Sequence, residues 1–168
     1  MTYDYRNKIY VAFDADNDIR YYRLMQAWTK NPNTEFEFYD AHDLNNLRSI
    51  SSEDTIKAKL TERLKNTKVF VLLVGSTTKN LYKFVRWEIE QAIQRKIPII
   101  VVNLNGLRSV DHSLCPPILR DILSVHISFH QKIIEHAIIN WQAQDQQYRN
   151  KKEYAYYYDE RIYRELAL

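Results

Sequence analysis

Glycine is nearly absent from this sequence of 168 residues, which contains only Gly75 and Gly106. A G-x-G-x-x-G dinucleotide fingerprint and a Walker P-loop both need clustered glycines so that backbone amides can approach phosphate, so neither can be present. Cysteine is limited to Cys115, which excludes a disulfide framework or a thiolate metal cluster within one chain. No apolar run approaches the roughly 20 residues that a spanning helix needs. The opening residues Tyr3, Asp4, Tyr5 and Arg6 do not lead a basic stretch into an apolar one, so no export signal is read. The expected setting is cytoplasmic, without membrane contact. An excess of one charge is also lacking: 24 Lys and Arg stand against 21 Asp and Glu, a net +3. The positive residues are interspersed with acidic ones, so no nucleic-acid partner is expected.

What is present suits one globular core, with 45% apolar and 27% charged residues. Ile9 to Phe13 reads as a buried strand running into the polar loop Asp14 to Asp18. Ile19, Tyr22, Met25 and Trp28 recur near helical spacing until Asn31-Pro32-Asn33. Phe36 to Tyr39 reads as a second strand, and Ser52 opens a helix with Ile56, Leu60 and Leu64 on one face. Val69 to Val74 and Ile99 to Leu104 have the continuous apolar character of strands covered on both faces. Between them, Tyr82 to Arg95 carries Val85, Ile89, Ala92 and Ile93 at helical spacing. A last strand at Val125 to Phe129 precedes a helix from about Gln131 to Gln147.

This alternation predicts one flavodoxin-like α/β domain over residues 1–150, with a five-stranded parallel sheet and helices on both faces. The right-handed crossover rule makes 2-1-3-4-5 the simplest strand order. Residues 151–168 are set apart by Tyr154, Tyr156, Tyr157, Tyr158 and Tyr163, five of the 13 tyrosines. Aromatic density of that kind predicts an extension packed on its own domain or on a partner.

In wound sheets, ligands bind outside the carboxyl ends of the strands. That rule selects Phe13, Asp14 and Asp16 after the first strand, and Ser76 and Thr77 after the third. In the helix that follows, about 100° of rotation per residue places Phe84, Glu88 and Gln91 together on the flank of the core stripe. Glu88 there has two readings: a surface charge favoured by the helix dipole, or a carboxylate facing the crevice that stabilises a cationic sugar. The histidines form no ligand set, because His130 and His136 stand at i and i+6 and do not share a helix face. No metal site is expected.

The segment Phe84-Val85-Arg86-Trp87-Glu88-Ile89-Glu90, after Val69 to Gly75 and Ser76-Thr77-Thr78, resembles the W-x-x-x-E region of TIR domains. It is closest to the W-V-x-W-E-I-E form of the TIR-like proteins of Thoeris anti-phage systems. Val11-Ala12-Phe13-Asp14-Ala15-Asp16-Asn17-Asp18 is similar to that family's S-F-D-x-D-N-D stretch, and Trp28 with Asn31-Pro32-Asn33 continues the match. The likeness covers roughly residues 8 to 104. Phe84 stands where tryptophan is usual, and Ala12 where serine is usual. The resemblance implies that Glu88 is the catalytic glutamate, with Phe13, Asp14, Asp16, Ser76, Phe84 and Trp87 on the substrate side. It implies NAD as substrate rather than as bound cofactor, nicotinamide release, and cyclisation of ADP-ribose into a signal for a separate effector. It also implies self-association. The alternatives are a non-catalytic TIR assembly module and a nucleoside deoxyribosyltransferase-like enzyme.

Overall fold

The computed structural model describes residues 9–34 and 52–168. β1 (Ile9–Ala12) is buried throughout and leads to α1 (Ile19–Thr29). α2 (Glu53–Lys65) begins where the sequence places it, with Ser52 Oγ accepting the Thr55 amide at 3.2 Å. Glu53 and Asp54 in its first turn, and Arg63 and Lys65 in its last, complement the helix dipole. β2 (Val69–Val74), α3 (Val85–Gln94) and β3 (Ile99–Asn103) follow. β4 (Ser124–Ser128), the long α4 (Gln131–Arg149), β5 (Ala155–Tyr157) and α5 (Glu160–Glu165) complete the described chain.

The five described strands form one all-parallel sheet in the order β1-β2-β3-β4-β5. Side chains alternate across it. Ile9, Val11 and Phe13 join Tyr22 and Met25 of α1 and Ile133, Ile134, Ala137, Ile138 and Trp141 of α4 in one core. Tyr10 and Ala12 enter the other, with Ile56, Leu60 and Leu64 of α2 and Val85, Ile89 and Ala92 of α3. Helices thus cover both faces, as expected for a parallel sheet.

One expectation lies outside the described residues and two are revised. The proposed strand at 36–39 lies outside the described residues, so the full order 2-1-3-4-5 is not observed; its remaining members are adjacent, as β1 through β4. A strand not expected from the sequence is Ala155–Tyr157, in the segment set apart on sequence as an extension. Ser124 donates its amide to the Tyr154 carbonyl at 2.8 Å, and β5 continues in parallel register. Tyr158 and Tyr163 are buried in the core beneath α4. The helix expected to begin at Tyr82 begins at Val85, because Thr78–Asn80 forms a separate 3-10 turn.

Candidate active site

At the carboxyl end of β1 the chain leaves the sheet through Asp14, whose side chain is buried. Its Oδ1 accepts the backbone amides of Asp16 at 3.1 Å and Asn17 at 3.3 Å. Its Oδ2 accepts Asn17 Nδ2 at 2.8 Å and the Thr77 hydroxyl at 2.5 Å. Burial alone would raise this carboxyl, but the bonds from Thr77, Asn17 and the two amides outweigh it and hold Asp14 below its ordinary range. Because Thr77 follows β2, the same carboxylate ties the loops after β1 and β2 together.

Four residues on, Asp18 stands at the N-cap of α1 without making a capping bond. The residue is 8% exposed, and its Oδ2 has no hydrogen-bond partner. Burial first, and the Asp14 charge second, raise its pKa. The carboxylate lies against the backbone of Gly75, where an added Cβ would sit 2.8 Å from Asp18 Oδ1 and closer still to Oδ2. Gly75 therefore matters for close approach, and any larger residue there would push Asp18 away. Sequence reasoning missed this contact; the signal was the one glycine placed at the end of the most apolar strand.

Glu88 lies in the first turn of α3, on its buried side and 3% exposed. The Tyr10 hydroxyl of β1 donates to Glu88 Oε2 at 2.6 Å. Of the two readings of Glu88, the solvated surface charge is thereby replaced by a buried, hydrogen-bonded carboxylate. Glu90, two residues on, shows the contrast: it pairs with Arg86 at 3.1 Å on the exposed side. Phe84 and Trp87 are half-buried and pack against the α2–α3 core, with Lys83 over the Phe84 ring at 5.6 Å and Lys57 over Trp87 at 5.5 Å.

The remaining candidates separate from this group. Phe13 is not beside Glu88: it has the strand parity of Ile9 and Val11, so it lies in the opposite core and stacks on Tyr22 at 4.5 Å. Asp16 is exposed and contributes its amide to Asp14, and Ser76 is exposed in the loop after β2. Among the described residues no group of His, Cys, Asp or Glu could hold a metal; His42 lies outside them. His126 is buried beside Ser124 Oγ at 3.0 Å, and burial pushes its pKa down to about 4. The Cys115 thiol is pushed up to about 11, chiefly by burial, which disfavours the thiolate of a nucleophile. No described helix is long and apolar enough to cross a membrane.

Tyr10, Asp14, Thr77 and Glu88, the side chains that join β1 to the loop after β2 and to α3, all fall within residues 10–109, a stretch that matches a TIR-like domain. The matching family is described as Thoeris protein ThsB, TIR-like domain, and the chain belongs to it. Membership gives the protein a role in Thoeris defence. The match ends before β4, so β4, α4, β5 and α5 lie outside it. No curated protein matches the chain.

Proposed function

We propose that this protein cleaves NAD at the bond between nicotinamide and ribose and closes the remaining ADP-ribose into a cyclic nucleotide that activates a separate Thoeris effector. The observation that carries the reading is the buried Glu88 carboxylate in the first turn of α3, in a chain of this family. As the C1′–N bond breaks, its electron pair goes to the pyridinium ring and nicotinamide leaves neutral, so no general acid is required. Positive charge develops on the sugar, and the Glu88 carboxylate stabilises it. An internal nitrogen or oxygen then attacks C1′ and releases its proton to solvent. Holding that nucleophile close while excluding water favours closure over hydrolysis.

In this reading the supporting roles differ from those the resemblance implies. Phe84, one helical turn before Glu88, and the adjacent Trp87 are half-buried against the α2–α3 core and are the aromatic groups suited to stacking on the substrate. Asp14 already accepts four hydrogen bonds within the chain, so it braces the two loops instead of reaching for substrate. Ser76 and Asp16, exposed at the same ends of the strands, remain available to it. Phe13→Ala would report on core packing and not on product choice.

The test is Glu88→Gln, which keeps size and hydrogen-bonding capacity but removes the charge. NAD turnover should fall by about 10²- to 10³-fold, with the thermal midpoint within a few degrees of the parent. Glu90→Gln, on the exposed side, should behave as the parent does. Undiminished turnover in Glu88→Gln would sink the assignment. Mass spectrometry of the product from the parent separates a cyclic nucleotide from ADP-ribose, which is heavier by one water.

A further inference from the structure

We infer that Tyr10 is a positioning residue for Glu88: its hydroxyl, donated across from β1, sets where the Glu88 carboxylate points. The inference rests on the proposed role of Glu88 for its functional consequence, but the contact itself is open to a test that does not need turnover. The Tyr10 Oη to Glu88 Oε2 distance is 2.6 Å. That is a close hydrogen bond between a hydroxyl and a carboxyl oxygen. Both side chains are buried, Tyr10 at 1% and Glu88 at 3% exposure, so the bond forms where water competes little.

The Tyr10 side of the contact is rigid. Its ring lies almost parallel to that of Phe70 in neighbouring β2, with centroids 5.5 Å apart and planes at 11°. Register pairing of Tyr10 with Phe70 keeps the two rings side by side on the sheet. A glutamate side chain has three rotatable bonds, so the direction of its carboxylate is set by the groups it meets. Tyr10 draws one of its oxygens toward β1, and so transfers the position of the strand to a carboxylate carried by α3. The effect of losing such a brace is a carboxylate still present but displaced, and a misplacement of about 1 Å can cost roughly a hundredfold in rate.

Tyr10→Phe removes only the hydroxyl and keeps the stack on Phe70. With glutamate labelled at the carboxyl carbon, the Glu88 signal is assigned by its disappearance in Glu88→Gln. In Tyr10→Phe that signal should move, while the other glutamate signals stay in place. On NAD, kcat should fall between about tenfold and a hundredfold with KM within about twofold, the split expected when orientation and not binding is lost. Replacing Tyr10 by 3-fluorotyrosine, a stronger donor of nearly the same shape, should move the Glu88 signal opposite to Tyr10→Phe and retain turnover. It also serves as the second variant should Tyr10→Phe fold poorly. An unmoved Glu88 signal in both variants overturns the inference, as does a Tyr10→Phe enzyme with parental kcat while Glu88→Gln is inactive. If Glu88→Gln keeps its turnover, the catalytic reading of Glu88 fails, and the labelled-carboxyl measurement still decides whether Tyr10 holds it.

Discussion

At the carboxyl ends of β1 and β2 the chain joins its loops through hydrogen bonds to a buried charge, whereas along β4 and β5 it stacks rings. Around Asp14 the partners are Thr77, Asn17 and two backbone amides, and beside them Asp18 keeps an oxygen without a partner. Along β5, Tyr156 stacks on Tyr148 at 4.7 Å and on Trp141 at 5.5 Å, and Tyr158 donates to Gln144 Oε1 at 2.8 Å. The first region desolvates carboxylates, which costs free energy unless each oxygen is matched. The second removes large apolar rings from water, a gain that outweighs the one buried group left unmatched there, Trp141 Nε1. The difference teaches that the C-terminal aromatic edge draws its stability from buried ring area, whereas the polar end of β1 satisfies Asp14 and leaves the desolvation cost on Asp18.

The sharpest way to break this comparison is to cut into the stacked edge. Trp141 is fully buried and touches both Tyr148 and Tyr156. Trp141→Ala should lower stability by about 3–5 kcal/mol, read from the urea midpoint, and NAD turnover per folded molecule should hardly change. A loss of turnover in the fraction that remains folded would mean that the aromatic edge reaches the site after all.

A smaller effect is expected from Thr77→Val, which keeps the shape and removes one donor to Asp14. It should cost about 1–3 kcal/mol near neutral pH. Asp14 is depressed in the folded protein, so its contribution is present above its ordinary value of 3.8 and is lost as pH falls through the lower folded value. The penalty of Thr77→Val should accordingly shrink on acidification below that range. A penalty that stays constant from neutral to strongly acid pH would show that Thr77 acts through packing and not through the Asp14 charge.

The smallest effect is expected from Asp18→Asn, and its sign is the informative part. The folded pKa of Asp18 is raised, so its ionisation destabilises the fold, an effect absent below the ordinary value of 3.8 and complete above the raised value. Asp18→Asn should raise the thermal midpoint by about 2 °C at neutral pH and lose that advantage near pH 3. A lower midpoint at neutral pH would mean that Asp18 stabilises the loop, and the contrast between the two regions would narrow.

The sequence by itself determined the alternation of strands and helices, because short β-branched apolar runs such as Val69–Val74 and helical stripes such as Ile56, Leu60 and Leu64 differ in length, composition and period. It also exposed the parity of β1, in which Phe13 belongs with Ile9 and Val11 and apart from Tyr10 and Ala12. The cap at Ser52 and the family likeness around Glu88 were legible for the same reason: their signals are local. Parity alone does not say which helix covers which face, so only packing could place Phe13 against Tyr22. A strand of three residues, two of them exposed, has no apolar run to announce it, and β5 exists because β4 offers an edge with unpaired backbone groups. Tertiary structure likewise decided the contacts between residues far apart in the chain. Tyr10 meets Glu88, and Asp14 meets Thr77, because parallel pairing of β1 with β2 brings their loops together and packing lays α3 over the sheet face on which Tyr10 stands. Neither partner carries a local mark of the other, since a hydrogen bond depends on position in space and a sequence records only order along the chain.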